Sequence, residues 1–600
     1  MDKLQFAQLV FAQAKKYGDK TAICHRKNIA DDWTKISWNE LAAQVLSIAK
    51  ALIEIGVEEQ DRVGQFSQNK AENLIVDFAL FANRAVVVPM YATSTVSQVE
   101  FIVNDAGIEV IFVGDQQQYN TALEVLKHSK ILKKIIVFDR NVVFTDVENS
   151  MYYVDFLQLG KNSTKHFEVQ QRQNEAVGKD LSCILYTSGT TGNPKGVMLP
   201  HSCFKEAMRV NSIRLTTLSD KDVSIAFLPL SHVFERTWCY LCLYTGATIY
   251  INLNPIEIQQ AIKDVRPTLM CSVPRFWEKV YAGVQENISK FSPLKKGLVT
   301  WAIATGKEYN IDILRKGIKP GLSLKIRYAI AEKLIFSKVK ETLGLENANM
   351  LPTAGAKLSN DINLFFRSIG VPIVYGYGLT ESTATVSCFE SEGYEIGSVG
   401  TIMPDLEVKI GEESEILLRG KTIFPGYYKN AEATAAAFTA DGWFKTGDAG
   451  YIENNKIVLT DRIKDLFKTS NGKYIAPQEI ETRLALDKYI EQAATIGDER
   501  NYVTAIIAPS IPALEAYAKK TNINYSSIDE LLKTPEINDL IKSRILEAQK
   551  GMASYEIIKR FTLIPKGFTI DSGELTNTLK MRRAVIMQKY KLQIDEMYSN

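Results

Sequence analysis

The chain lacks several things that would narrow its class at once. No uninterrupted apolar segment of its 600 residues reaches membrane-spanning length. Excess charge is missing too: 71 lysines and arginines face 69 aspartates and glutamates, so composition offers no case for nucleic acid or another polyanion as partner. Seven cysteines, an odd and scattered set, provide no disulfide framework and point to a reducing compartment. Cys239 and Cys242 form one C-x-x-C inside an apolar run. No second pair completes a zinc site, so both read as core thiols. A basic, then apolar, leader is absent from the first residues, and no repeat or low-complexity tract appears. The expected location is cytoplasmic, with peripheral contact at the inner face of a membrane left open. At 46% hydrophobic and 23% charged residues the composition is that of a soluble protein, and the length calls for two or more domains.

What is present is concentrated in a few stretches, first among them Tyr186 to Val197. The apolar run Ser182 to Tyr186 leads in like a strand and Val197 to Leu199 leads out, leaving a loop of glycines, hydroxyls and one lysine. Glycines let backbone N–H groups turn toward an anion, Thr187, Ser188, Thr190 and Thr191 add hydroxyl donors, and Lys195 adds a positive charge. The pattern fits a nucleotide polyphosphate. It is not the GxxxxGK[ST] loop, because Pro194 precedes the lysine and Gly196 follows it. A flexible Ser/Thr/Gly linker is the plainer reading of the same residues.

Upstream, Ser37 and Glu40 make a capping box, Leu41, Val45, Ile48 and Leu52 share a helical face, and Gly56 supplies a stop. Apolar quartets at 85–88, 110–113 and 135–138 follow at spacings that leave room for helices, the rhythm of a parallel sheet covered on both sides. Downstream, a prolyl turn at Pro229 delivers His232 among aromatic residues, where it is as readily structural as functional. From about 286 to 345 the chain is helical in pattern and rich in lysine. With Phe291, Trp301 and Phe336 beside it, this surface suits anionic lipid, or equally a solvated basic face.

A second glycine-rich passage carries Gly355 and Ala356, then Gly376, Tyr377, Gly378, Thr380 and Glu381. Small residues for close approach, a π-face, a hydroxyl and a carboxylate suit a purine, a phosphate and Mg²⁺; a glycine-rich turn with a buried tyrosine is the plainer reading. Asp448 and Arg462 are a complementary pair for ribose hydroxyls, or a surface ion pair. Past Lys464 a compact module begins, with a helix from Pro477 that aligns Ile480 and Leu484 and strands near 493–496 and 504–507.

As a set, these residues resemble the AMP-forming adenylating superfamily, and within it the long-chain fatty acid CoA ligases. The stretches that carry the resemblance are YTSGTTGNPKGV at 186–197, YGYGLTES at 375–382, DGWFKTGDAGYIENNKIVLTDRIKD at 441–465 and LTNTLKMRR at 575–583. It implies an α/β fold: a large N-terminal adenylating domain of parallel and mixed sheets with flanking helices (1–463, with a helical insertion at about 286–345), and a small mobile α+β C-terminal domain (464–600). By position, Thr187, Ser188, Gly189, Thr190, Thr191, Gly192 and Lys195 would hold the β- and γ-phosphates of ATP. Tyr377 and Gly378 would meet adenine, with Gly355 and Ala356 along its edge. Thr380 would contact the α-phosphate and Glu381 would hold Mg²⁺, while Asp448 and Arg462 would bind ribose. Lys464 would be the hinge, Gly472 part of the CoA channel, Lys580 the catalytic lysine and His232 a neighbour of the acyl carboxylate.

The implied reaction joins a fatty acid to CoA at the expense of ATP through an acyl-adenylate. Chain length, saturation and oligomeric state are not legible. Asn577 stands where the fatty acyl subgroup usually has proline. Two other readings compete: a fatty acyl-AMP ligase that loads a carrier protein, whose extra insertion near the hinge is not seen between Asp461 and Pro477, and a non-catalytic lipid- or nucleotide-binding relative, in which Lys195, Glu381, Asp448 or Lys580 would have eroded.

Overall fold

The computed structural model describes residues 6–187, 194–389, 393–463, 466–470, 474–570, 572–576 and 581–599. The apolar quartets become the centre of a seven-stranded sheet in the order Ser150–Tyr152, Lys134–Val137, Val110–Val113, Arg62–Phe66, Val86–Met90, Leu181–Thr187, Lys195–Pro200. Neighbours run parallel except the last pair, which is antiparallel. Alternate residues of each strand enter two different apolar clusters. Val87, Phe112 and Ile136 join the larger, and Val86, Val88, Ile111 and Ile135 the smaller. Both faces are therefore covered, which is why these strands read as continuous apolar runs.

Helix Trp38–Glu54 begins as its capping box requires: the Ser37 hydroxyl accepts from Glu40 N–H at 3.2 Å, and the Glu40 carboxylate accepts from Ser37 N–H at 2.8 Å. Gly56, at φ +85°, takes the chain out of the helix. A second sheet has four strands (Val223–Ala226, Thr248–Ile251, Thr21–His25, Thr34–Ser37). An eight-stranded sheet then carries Leu351–Thr353, Ile373–Tyr377, Phe444–Glu453 and Lys456–Arg462 among its members. The smaller C-terminal part is organised on Ile490–Ile496, Val503–Pro509 and Ile558–Leu563, with apolar clusters of its own; Ile480 and Leu484 of helix Pro477–Leu484 are buried in one of them. Between 274 and 343 the expected helical region is present, broken by π turns at Lys307–Ile313 and Glu332–Phe336. Phe336 faces the core, so it is no part of the surface expected there.

Helix Val233–Thr245 ties the sheets together. Cys239 and Cys242 are buried thiols, and burial pushes both well above the ordinary range. Trp238 and Tyr240 are core residues: the Trp238 indole donates to the Ser224 hydroxyl at 3.0 Å, and Tyr240 packs edge-on against Phe78 and Phe204.

Glu235 on this helix is fully buried. Burial raises its carboxyl well above the usual 4.5, and hydrogen bonds from the Leu228 backbone and the Cys239 thiol oppose that rise without cancelling it. The folded chain therefore holds a proton that the unfolded chain has released above pH 4.5, so this group's contribution to stability is full below that value and falls as pH rises through the folded one. The slope is about 1.4 kcal/mol per pH unit for one proton. Glu235→Gln removes that slope, and denaturant titrations across pH should show the variant gaining on the parent as pH rises. Parallel profiles for the two would mean that Glu235 is ionised in the fold.

Candidate active site

Parallel pairing of Leu351–Thr353 with Ile373–Tyr377 sets Thr353 opposite Tyr375. The segments that follow, 355–356 and 377–378, thus leave the sheet side by side at the carboxyl ends of the two strands, a usual place for ligands in α/β folds. Tyr375 fixes the first: its hydroxyl donates to the Ala356 carbonyl and accepts from Leu358 N–H, both at 3.0 Å. The second folds back at once, because Thr383 and Ala384 adopt left-handed φ of 53° and 57°. This brings the Ala384 backbone so near Gly378 that a Cβ there would lie 2.4 Å from the Ala384 carbonyl carbon. Only glycine fits.

Tyr377 ends its strand buried, with its hydroxyl 2.5 Å from Asp448 Oδ2. Burial and the neighbouring Asp448 push the phenol well above its ordinary range, so Tyr377 is the donor. Asp448 sits directly across the strand pair from Arg462, whose Nε lies 3.2 Å from Asp448 Oδ1. Asp448 is buried and Arg462 half-exposed. Sequence reading chose all three residues. Their direct contact comes from the register of the sheet.

Glu381 lies in the turn Thr380–Ser382, half-buried. Its carbonyl accepts from Phe424 N–H at 2.8 Å and its Oε1 from the Tyr427 hydroxyl at 3.0 Å. Desolvation raises the carboxyl above its usual range, opposed by its own backbone, by Tyr427 and by Arg462. Tyr427 also reaches the phosphate-loop candidate, for the Lys195 ammonium stands 5.1 Å over its ring. Segment 426–428 runs along strand Lys195–Pro200, with Tyr428 N–H donating to the Gly196 carbonyl at 2.7 Å. Tyr427 therefore joins the two predicted halves of the site, and sequence reading missed it: Phe424-Pro425-Gly426-Tyr427 has no charge or spacing that announces a role.

Thr187 and Lys195 face each other at the end of their strand pair where the chain passes from one strand to the other. Ser188, Gly189, Thr190, Thr191 and Gly192 lie outside the described residues, as do Lys464, Gly472 and Lys580. His232 stands on a different element, capping helix Val233–Thr245, where its Nδ1 accepts from Phe234 N–H at 3.2 Å. That bond leaves Nε2 as the position for the proton of a neutral ring.

The donor set fits a magnesium ion held chiefly by a nucleotide. Among the described residues no group of three or more His, Cys, Asp or Glu could hold a metal. Glu381 offers a desolvated carboxylate, and Mg²⁺ usually takes one or two protein carboxylates with phosphate and water for the rest.

Two family models match the chain: AMP-binding enzyme over residues 10–428, and AMP-binding enzyme C-terminal domain over residues 464–600. Long-chain-fatty-acid–CoA ligase FadD15 of Mycobacterium bovis is 30% identical over 596 residues, covering 99% of this chain and 97% of its own. Fatty acyl-CoA synthetase B of Dictyostelium discoideum is 31% identical, covering 98% and 89%. Among solved structures, the A-PCP didomain of carboxylic acid reductase from Segniliparus rugosus, in complex with AMP, superposes with a TM-score of 0.77 at 21% identity over 100% of this chain and 82% of that one. ATP-bound MatB from Rhodopseudomonas palustris superposes at 0.68 and 19% identity, covering 98% and 99%. These two share the fold: a large N-terminal adenylation domain with mixed sheets and a smaller C-terminal domain. With nucleotide-site candidates gathered at the strand ends and a family model spanning most of its length, the chain belongs to the AMP-binding enzyme family.

Proposed function

We propose that this protein is a long-chain fatty acid CoA ligase that converts ATP, fatty acid and CoA to acyl-CoA, AMP and diphosphate through an acyl-adenylate. The observation that carries the reading is the contact of Tyr377, Asp448 and Arg462 beside Glu381 and Tyr427, a site with base, sugar and metal partners at one strand end. The long-chain assignment is supported by full-length relatives whose names carry that activity.

In this reading the Tyr377 ring lies against adenine, with Gly355, Ala356 and Gly378 admitting the base at close range. Asp448 accepts from the ribose hydroxyls and Arg462 donates to the same sugar. Thr380 meets the α-phosphate, and Lys195 with loop 187–192 holds the departing diphosphate. A Mg²⁺ held by Glu381 would supply charge neutralisation at the phosphates. One carboxylate oxygen of the fatty acid attacks the α-phosphorus, the bond to the β-phosphate bridge breaks, and diphosphate leaves. Lys580 neutralises charge in that step. The CoA thiol then attacks the mixed anhydride and AMP departs, with His232 near the acyl carbonyl.

We place the domain boundary at Lys464 as the hinge, with Gly472 lining the CoA channel after rotation. The contacts between the two parts suit such movement. Lys357 meets Glu479 at 3.2 Å with both side chains over a third exposed, and Arg275 donates to the Glu491 carbonyl at 3.1 Å; exposed pairs of this kind hold little energy.

The test is diphosphate release across carboxylates from acetate to very long chains, with and without CoA. Long-chain acids should turn over fastest, with AMP release requiring CoA. Preference for acetate or an aromatic acid would overturn the long-chain assignment, and nucleotide binding without turnover of any acid would overturn the enzymatic one.

A further inference from the structure

Helix Leu322–Ala331 and the π turn Glu332–Phe336 after it turn the wrong residues outward. Leu324, Ala331 and Phe336 are buried, and Tyr328 stacks on Tyr309 with ring centroids 4.0 Å apart, so the inward face is already occupied. The opposite side should then be polar. Instead it carries Leu322, Ile326, Ile330 and Leu334, exposed by 76%, 53%, 45% and 42%. At intervals of four residues they form a continuous stripe. The helix Pro293–Gly306, which packs on this one, adds Leu294 and Leu298, and the intervening loop adds Ile318, all exposed. Isolated surface leucines need no explanation, but a row of them across packed helices marks a contact surface.

Its charge identifies the partner. From 290 to 334 there are ten lysines and arginines against three acids. Lys325 and Lys333 stand three residues on from Leu322 and Ile330, on the same side, and are exposed. Lys295 and Lys296 follow Leu294, and Lys319 follows Ile318. None of these five makes an ion pair among the described residues, whereas Lys290, Arg327 and Lys340 do. A second copy of the chain on this face would set like charges against each other. An anionic bilayer satisfies both features: acyl chains take the leucines and isoleucines, and headgroup phosphates take the ammonium groups, which reach up on long stems.

We propose that the face made by helix Leu322–Ala331 and its neighbour Pro293–Gly306 is a peripheral docking surface for anionic lipid bilayers. No described helix is long and apolar enough to cross a membrane, so the contact is one that lies on the bilayer. Of the aromatic residues expected on such a surface, Phe291 is exposed and Phe336 is not. Aliphatic residues make the stripe. The proposal does not rest on the reaction assigned above, since vesicle binding requires no substrate.

The experiment is co-sedimentation of the full-length protein with vesicles of phosphatidylcholine alone, or with one third phosphatidylglycerol. Binding should be at least tenfold tighter to the anionic vesicles and weaken with salt. Ile326→Ser with Ile330→Ser should lower it about tenfold. Lys325→Gln with Lys333→Gln should lower it by more than tenfold on anionic vesicles alone, at roughly fivefold per charge. Both pairs are exposed, so melting temperature should hold in each; should the isoleucine pair misfold, the lysine pair still decides. No preference for anionic vesicles, or unchanged binding of the folded variants, would overturn the proposal. So would a concentration-dependent dimer, without vesicle binding, that the same substitutions dissociate.

Discussion

Asp448→Ala should lower kcat/KM for ATP in diphosphate release by about 10²–10⁴-fold. In the proposed role the carboxylate accepts two charge-assisted hydrogen bonds from ribose, each of roughly 1.5–3 kcal/mol, and about 1.4 kcal/mol corresponds to a tenfold change in rate. Removing it also strips the buried Tyr377 hydroxyl of its acceptor at 2.5 Å and Arg462 of one partner at 3.2 Å, so the ring proposed to meet adenine loses its anchor. Tyr377→Phe keeps the ring and deletes only the hydroxyl, so it should cost about tenfold or less. Asp448→Asn should fall between the two, since an amide still accepts but carries no charge for Arg462. Steady-state measurements at saturating fatty acid separate these effects. A value for Asp448→Ala within fivefold of the parent would remove ribose from this position.

Asp77→Ala should destabilise the N-terminal domain by about 3–5 kcal/mol, the usual cost of breaking one side of a buried ion pair. Arg236 and Asp77 are both essentially inaccessible and in direct contact. Asp77 also accepts from the Tyr240 hydroxyl at 2.7 Å and from Gln65 at 2.9 Å, while Arg236 Nε donates to the Leu230 carbonyl at 2.8 Å. Burial works against the Arg236 charge, yet Asp77 outweighs it and holds the proton above the usual guanidinium range. Truncation of the aspartate leaves that cation unpaired in a dry interior. Replacing both by apolar residues of similar size, as in Asp77→Leu with Arg236→Met, should recover most of the loss, because no charge remains to be desolvated. Denaturant unfolding of the single and double variants tests this, and a loss below about 1 kcal/mol for Asp77→Ala would mean that the guanidinium has another partner. Activity should fall as well: the Leu230 carbonyl that Arg236 holds belongs to the turn that delivers His232.

These two predictions differ in how far the sequence announced them. Asp448 and Arg462 could be chosen as a sugar-binding pair from residue type alone, and they lie in neighbouring strands that the chain reaches within fifteen residues. Asp77 and Arg236 are 159 positions apart in chains of ordinary helical residues, and nothing local marks either as buried and paired. Tyr427 was hidden for a similar reason, since its link to Glu381 spans 46 residues and passes through a loop. The basic region near 286–345 was legible in composition. Which apolar residues lined its outer face was not, because helical periodicity alone does not say which of two apolar stripes meets the core, and Phe336 went inward while Leu322 went outward.

By itself the sequence determined the parallel-sheet rhythm, the capped helix at Trp38–Glu54, the choice of phosphate, base and sugar candidates, and the family to which the chain belongs. Each is written in local spacing or in a short motif, where neighbours in sequence are neighbours in space. The tertiary structure alone decided that Tyr377 donates to Asp448, that Tyr427 bridges Lys195 and Glu381, and that a stripe of leucine and isoleucine stays uncovered. Those depend on strand register and on which helix face finds a partner, and both are settled by packing between segments far apart in the chain.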